Sequence, residues 1–162
     1  MLKVIFLDRD GVVNDNSDYY VYKWDSFKIN EGLIEALTLL KNNGFDFIII
    51  SNQSGIAKNI YSINDVEVLH KKLDSYFKTF NIKILEYYYC YHHPDVTLCL
   101  CRKPSPLLFE KSIARFNIDA KKSYMIGDQQ RDIEAAEKAG IKGILIKSNS
   151  DLRNVVLDII SK

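Results

Sequence analysis

The chain has 162 residues, a formal net charge of +1 at neutral pH and 47% hydrophobic residues. This length suits one domain spanning residues 1–162, and this composition can bury a core without disulfide bonds. The balanced charge disfavours nucleic-acid binding, and the longest apolar runs are too short to cross a membrane. The first residues begin a strand pattern rather than a signal peptide, so we expect a cytoplasmic protein with reduced thiols.

Five short runs rich in β-branched and aromatic residues predict strands. Runs such as VIFL and FIII are apolar throughout, which is typical of parallel strands that are buried on both faces. The predicted strands lie at residues 3–7, 45–50, 84–90, 123–126 and 143–146. Helical patterns separate them, and this alternation predicts an α/β fold with a mainly parallel sheet.

Apolar residues at helical spacing predict five helices, and capping and stop residues mark their ends. These signals are Gly44 and Gly140 as stops, Ser62 with Asp65 as a capping box, and Ser105 with Pro106 as an N-cap and first turn. The second helix is predicted to bury one face made of Val66, Leu69, Leu73, Tyr76, Phe77 and Phe80. Residues 8–29 and 90–105 remain as long irregular segments, which in a small domain are usually functional.

Polar side chains follow three of the predicted strands. They are Asp8 and Asp10 in DRDG, Ser51 and Asn52 in SNQSG, and Asp128 and Asp132 in GDQQRD. Ligands of α/β proteins bind beyond the carboxyl ends of parallel strands. If the first and fourth strands are neighbours, Asp8 and Asp128 converge there. Carboxylates so close together stay ionised only around a cation, and an all-oxygen ligand set favours Mg²⁺.

These residue types together suit phosphoryl transfer. Asp8 can act as a nucleophile, and Asp10 can protonate the leaving oxygen. Ser51 and Asn52 can donate hydrogen bonds to phosphate oxygens, and Lys103 adds a positive charge. Each signal alone is more often a turn or a helix cap. Their position at successive strand ends favours the functional interpretation.

The segments FLDRDGVVN, SNQSGIA, CRKP and GDQQRD resemble the four motifs of the haloacid dehalogenase (HAD) superfamily of phosphatases, and the resemblance spans essentially the whole chain. It implies a Rossmann-like three-layer sandwich, and no insertion is long enough for a large cap domain. It also implies that Asp8 becomes phosphorylated, that Asp10 acts as acid and then as base, and that Ser51 and Lys103 hold the phosphoryl group. The implied Mg²⁺ ligands are Asp8, the Asp10 backbone carbonyl and Asp128, with Asp132 as a water-mediated partner.

All three cysteines lie in one short segment, CYHHPDVTLCLC. With one histidine they form a set suited to a closed tetrahedral zinc site, namely Cys90, His92, Cys99 and Cys101. The alternatives are a disulfide with one free thiol, which the short Cys-x-Cys spacing disfavours, and buried cysteines without a metal. Four protein ligands leave no position for water. The zinc would therefore be structural and would orient Arg102 and Lys103, while His93 would not be a ligand.

This zinc-clamped loop resembles one group of the superfamily, which contains heptose bisphosphate and histidinol-phosphate phosphatases. NQSGIAK and CYHHP are similar to the heptose branch, whereas the histidinol branch tends to carry Asp at the position of Ser54. The resemblance implies removal of the C7 phosphate from a heptose 1,7-bisphosphate, with Arg102 and Lys58 at the second phosphate. Gln129 stands where this group often has Lys.

Two alternatives remain open. One is a histidinol-phosphate phosphatase, and the other is a zinc-containing binding module that has lost catalysis. The expected partner is a small phosphorylated sugar, with no nucleic acid and no membrane, and the expected state is a monomer. The expected cofactors are Mg²⁺ and structural Zn²⁺.

Overall fold

The computed structural model describes residues 1–161, in which five strands form one parallel sheet. The strands are β1 (Val4–Leu7), β2 (Asp46–Asn52), β3 (Ile84–Cys90), β4 (Tyr124–Gly127) and β5 (Lys142–Leu145). Their order across the sheet is β3-β2-β1-β4-β5. The predicted parallel α/β fold is confirmed, and β1 is the direct neighbour of β4.

Helices cover both faces of this sheet. They are α1 (Leu33–Asn42), α2 (Ile63–Thr79), α3 (Leu107–Phe116), α4 (Gln130–Lys138) and α5 (Arg153–Ile160). Successive side chains of a strand point to opposite faces. Accordingly, Ile5 and Leu7 of β1 share a core cluster with α1, α2 and α5, whereas Val4 and Phe6 share one with α3 and α4. The predicted three-layer sandwich is therefore confirmed.

Four of the five predicted strands differ from the observed strands by one or two residues at their ends, and only β3 has the predicted bounds. β2 continues through Ser51 and Asn52 because both residues still pair with β3. β4 and β5 are displaced by one residue from the predicted ranges, in opposite directions along the chain. Apolar composition predicts that a strand exists, but the pairing with its neighbour determines where it ends.

Helix ends were predicted with mixed success. The capping box of Ser62 and Asp65 is present at the start of α2. The prediction for α3 was wrong by one residue, because Pro106 is the N-cap. The Ser105 hydroxyl accepts only a long hydrogen bond from the Leu107 backbone, at 3.5 Å, and donates to the Leu100 carbonyl. Phe80 was wrongly placed on the buried face of α2, since it lies at the C-cap and is 44% exposed. None of the helices in residues 1–161 combines the length and apolar composition of a membrane span.

A buried histidine should make the stability of this fold depend on pH. His70 on α2 is buried against Tyr87 of β3, and its Nε2 atom has no hydrogen-bond partner among the described residues. Burial lowers the pKa of His70 from its ordinary value of 6.5 to about 3. Between these values the unfolded chain binds one proton more than the folded chain. As the pH is lowered below about 6.5, the free energy of unfolding should therefore decrease, by about 1.4 kcal/mol per pH unit.

The variant His70→Leu should lose this part of the pH dependence. Urea unfolding at several values between about pH 4.5 and 7 would measure the slope of the unfolding free energy in each protein. His93→Leu is the control and should keep the wild-type slope, because His93 lies in the segment after β3 and is not in the core. An unchanged slope in His70→Leu would contradict the assignment.

Candidate active site

A polar cavity lies where the strand order reverses. β2 and β3 extend the sheet on one side of β1, and β4 and β5 extend it on the other. The cavity has a volume of about 280 Å³ and opens at the carboxyl ends of these strands, where α/β proteins bind their ligands. Seven of the residues predicted to bind Mg²⁺ or phosphate or to take part in catalysis line it, namely Asp8, Asp10, Ser51, Asn52, Arg102, Lys103 and Asp128.

Asp8 is buried at the base of this cavity and is held by one of its two carboxylate oxygens. The Nζ atom of Lys103 lies 2.9 Å from Asp8 Oδ1, and the backbone N–H of Arg9 donates to the same oxygen at 2.8 Å. Burial raises the pKa of Asp8 to about 7, although Lys103 opposes this effect. Lys103 thus favours the ionised form of Asp8, and the role of Asp8 as the attacking nucleophile stays a prediction.

Lys103 is a buried cation shared by two carboxylates. Its Nζ atom lies 2.9 Å from Asp8 and 2.7 Å from Asp132, and it donates to the carbonyl of Ile50. Burial acts to lower the pKa of Lys103, but Asp8 and Asp132 together raise it above its ordinary value. The ammonium group is thus kept charged and fixed in one position, although only 1% of its side chain is exposed.

Asp8, Asp128 and Asp132 each offer one carboxylate oxygen, and these three oxygens lie within 4.8 Å of one another. Asp128 Oδ1 is buried and accepts no hydrogen bond from the described residues, which is costly unless a cation or water compensates. These residues therefore fit Mg²⁺, which prefers carboxylate oxygens. Asp132 is bound to Lys103 and to the backbone N–H of Gln129, in keeping with the indirect role predicted for it.

Gly11 gives the Asp128 carboxylate room to approach the turn after β1. Its backbone has a φ of +92°, and a Cβ atom at this position would lie 2.3 Å from Asp128 Oδ2. The backbone N–H of Asn149, beyond β5, donates to the Gly11 carbonyl. The turn thus needs glycine both for its backbone conformation and for space.

Asp10 is surrounded by hydrogen-bond donors. Arg9 reaches both of its oxygens through Nη2, at 3.0 Å each, and Asn14 donates to Oδ1 at 3.1 Å. Gln53 donates to Oδ2 at 3.0 Å. The side chain of Asp10 is therefore fixed by the protein, while its backbone carbonyl remains the predicted Mg²⁺ ligand.

Sequence reasoning missed three residues that bond the predicted side chains of this site. Arg9 is fully buried beside Asp10, Gln53 bonds both Asp10 and Ser51, and the Ser148 hydroxyl donates to Asp128 Oδ2. Arg9 and Gln53 lie inside the motifs DRDG and SNQSG, so their positions were available as a signal. Ser148 lies three residues after β5. A search for polar side chains after this strand, as was made for the other strands, would have found it.

The structure assigns a positioning contact to Asn52. Its side-chain amide forms a pair of hydrogen bonds with the backbone of Lys103, at 3.2 and 3.1 Å. This pair links the end of β2 to the segment that carries Lys103. Direct contact between Asn52 and phosphate stays a prediction. Lys58 is exposed and does not line the cavity, in contrast to Arg102.

The four predicted zinc ligands lie together next to this cavity. Cys90 Sγ is 3.5 Å from His92 Nδ1 and 3.6 Å from Cys99 Sγ, and Cys101 Sγ is 3.3 Å from the same nitrogen. These separations approach the edges of about 3.8 Å of a tetrahedral zinc–thiolate site. All three cysteines are free of disulfides. The cluster could therefore hold zinc, and Arg102 donates to the carbonyl of His92.

Two adjacent histidines provide a matched test of the zinc site. His92→Asn should weaken zinc affinity by at least about 100-fold, because it removes a direct ligand. His93→Asn should leave the affinity unchanged, since His93 Nδ1 instead accepts the backbone N–H of Asp95. The measurement is zinc content per chain after dialysis against a graded chelator. Equal zinc loss in both variants would contradict the ligand assignment.

Comparisons with known proteins agree with this geometry. A family model described as HAD-hydrolase-like matches residues 100–158. The D-glycero-alpha-D-manno-heptose-1,7-bisphosphate 7-phosphatase of Photorhabdus laumondii is 38% identical over 146 residues, which cover 86% of this chain and 79% of the relative. The D-glycero-beta-D-manno-heptose-1,7-bisphosphate 7-phosphatase of Helicobacter pylori is 36% identical over 152 residues, or 93% of this chain and 87% of the relative.

A solved structure shows the same likeness. The D,D-heptose 1,7-bisphosphate phosphatase from B. bronchiseptica, crystallised with magnesium and phosphate, superimposes with a TM-score of 0.84 at 29% sequence identity. The match covers 97% of this chain and 87% of that chain.

Proposed function

Because this chain belongs to the family of the heptose 1,7-bisphosphate 7-phosphatases among the HAD-like hydrolases, we propose that it removes the C7 phosphate from D-glycero-D-manno-heptose 1,7-bisphosphate. The observation that carries the proposal is the convergence of Asp8, Asp128 and Lys103 at one strand edge. That arrangement supplies a nucleophile, a cation site and a fixed positive charge, which phosphoryl transfer requires.

The reaction proceeds in two steps on Asp8. Asp8 Oδ2 attacks phosphorus, and the bond from phosphorus to the sugar oxygen breaks while Asp10 gives that oxygen its proton. Asp10 then takes a proton from water, which attacks phosphorus, releases inorganic phosphate and restores Asp8. Asp8, the Asp10 backbone carbonyl and Asp128 would hold Mg²⁺, which when bound would offset the negative charge of the reacting groups. Lys103 and the Ser51 hydroxyl hold the phosphoryl oxygens.

The cavity offers two further cations for the phosphate that is not transferred. Arg102 and Arg131 both line it, and neither forms an ion pair within the described residues 1–161. Lys103 and Arg9 are different, because their charges are taken up by Asp8, Asp132 and Asp10. Sequence reasoning missed Arg131, which lies two residues after Gln129. Its guanidinium can supply the positive charge that a Lys at position 129 provides in many members of the group.

Removing Arg131 should weaken use of the bisphosphate. A hydrogen bond between a guanidinium and a phosphate contributes about 1.5–3 kcal/mol, so Arg131→Gln should lower kcat/KM by about 10–100-fold. Heptose 7-phosphate lacks the second phosphate, and its kcat/KM should not change. Arg115→Gln is the control, because Arg115 lies outside the cavity and pairs with Glu86. Equal losses on both substrates would contradict the role.

A kinetic panel tests the function itself. Purified protein with Mg²⁺ should release one phosphate per molecule from heptose 1,7-bisphosphate and leave the C1 phosphate, as phosphorus NMR can show. Both anomers belong in the panel, because the relatives include enzymes named for each. A preference for histidinol phosphate would favour that alternative, and no release from any ester would favour a binding module. The monomeric state and cytoplasmic location stay predictions.

A further inference from the structure

We infer that Gln53 is a positioning residue that orients both Asp10 and the Ser51 hydroxyl for phosphoryl transfer, an inference that rests on the proposed function. Gln53 directly follows β2, and only 1% of it is exposed. Its Nε2 atom lies 3.0 Å from Asp10 Oδ2 and 2.6 Å from Ser51 Oγ. Its Oε1 atom accepts a hydrogen bond from the Tyr61 hydroxyl at 2.7 Å.

The chemistry of the partners determines which way the amide faces. Both oxygens of Asp10 accept hydrogen bonds from Arg9, so they are acceptors in this structure and the nitrogen of Gln53 faces Oδ2. Tyr61 then donates to the amide oxygen. Burial raises the pKa of Tyr61 to about 12, which keeps its hydroxyl protonated. A reversed amide would place two acceptors against each other at Asp10.

This orientation also directs the proton of Ser51. The Ser51 oxygen already accepts the Gln53 N–H, so its own hydrogen must point elsewhere. Ser51 is nearly fully buried and lines the cavity. The hydroxyl is therefore directed to donate toward an oxygen in the cavity, where the transferred phosphoryl group lies in the proposed reaction.

Tyr61 holds the amide in place from the other side. Tyr22, from the long segment after β1, stacks on Tyr61 with ring centroids 4.9 Å apart. Gly55 leaves the space that the ring fills, because a Cβ atom there would lie 2.1 Å from Tyr61 Cε1. The segment SNQSG thus supplies both the positioning amide and the room for its support.

A positioning role and a purely structural role predict different results. A sugar oxygen needs a proton from Asp10 as it leaves, whereas p-nitrophenolate is a stable anion that leaves without one. Misplacing Asp10 should therefore slow transfer from the sugar ester far more than transfer from p-nitrophenyl phosphate. A general loss of structure would slow both equally.

The test is single-turnover kinetics with enzyme in excess and Mg²⁺ present. Since a well-placed general acid contributes about 10²–10⁴-fold, we expect Gln53→Leu to slow phosphate transfer from heptose 1,7-bisphosphate by about 10–100-fold. Release of p-nitrophenol should slow much less, by up to about threefold, because that ester feels only the misdirected Ser51 hydroxyl and not the misplaced Asp10. Gln130→Leu is the matched control, because Gln130 is exposed on α4 outside the cavity, and it should match wild type. Equal losses on both esters, or no loss on either, would overturn the inference.

Two further variants keep the test decisive if Gln53→Leu folds poorly. Tyr61→Phe removes only the hydrogen bond to Gln53 Oε1. It should also slow the sugar ester more than p-nitrophenyl phosphate, but by a smaller factor. Adding Gln53→Leu to Asp10→Asn should cost no more than about threefold beyond Asp10→Asn alone, because only the contact of Gln53 with Ser51 is then left to lose. Additive losses would overturn the inference. Wild-type protein that is inactive on both esters would instead refute the proposed function.

Discussion

Asp8→Asn should abolish turnover while the protein remains folded. The substitution removes the attacking oxygen, and loss of a nucleophile typically costs far more than loss of a binding group, so kcat should fall by at least about 10⁴-fold. The Asn side-chain oxygen can still accept the hydrogen bonds that Lys103 and the Arg9 backbone now donate to Asp8. The site should therefore lose its chemistry without losing its shape.

The measurement combines steady-state phosphate release with acid-quench mass spectrometry. Wild-type protein quenched during turnover should carry phosphate on the peptide that contains Asp8, and the variant should carry none. Asp46→Asn is the control, because Asp46 begins β2 at the opposite end of the sheet and should retain full activity. Substantial turnover by Asp8→Asn would exclude the aspartyl-phosphate route.

The second large effect concerns stability. Lys103→Met keeps the length of the side chain but leaves Asp8 and Asp132 as two buried carboxylates without their shared cation. Removing one partner of a buried ion pair typically costs about 3–5 kcal/mol, so the free energy of unfolding should fall by this amount in Mg²⁺-free buffer. Turnover should fall as well, because a fixed charge next to the phosphoryl group is lost.

Two comparisons separate this cause from simple loss of packing. Adding Mg²⁺ should restore part of the lost stability, since the ion again places positive charge beside Asp8. The double variant Lys103→Met with Asp132→Asn should be more stable than Lys103→Met alone, because one uncompensated charge is gone. Urea unfolding measures all of these differences. A double variant less stable than the single one would show that packing, rather than charge, explains the loss.

Local sequence patterns were sufficient to predict the architecture. Strands buried on both faces are apolar throughout, so β1 and most of β2 were recognisable without tertiary information. Element ends depend on partners distant in the chain. β2 extends to Asn52 because β3 pairs with it there. The Ser105 hydroxyl bonds Leu100 between two predicted zinc ligands as well as Leu107 of α3, a contact that no local pattern reveals.

The active site was predictable wherever polar residues directly follow a strand. Asp8 and Asp128 were found because the carboxyl ends of parallel strands meet at one edge. Arg9 was not, because arginine is normally exposed, and its complete burial makes sense only once Asp10 and the Val21 carbonyl are seen to bond it. Arg131 was likewise not predicted, because its sequence position does not distinguish it from an ordinary surface cation. Only the structure shows that it lines the cavity.

Position 11 restricts how this site can diverge. Asparagine and aspartate are the residues that most readily replace glycine where the backbone is left-handed. Each of them has a Cβ atom, and a Cβ atom at this position would overlap with the Asp128 carboxylate. A residue that tolerates this backbone conformation therefore still brings its Cβ atom against the Asp128 carboxylate, which would have to shift. Substitutions at the rim can therefore change the cavity, whereas the turn at Gly11 tolerates few substitutions.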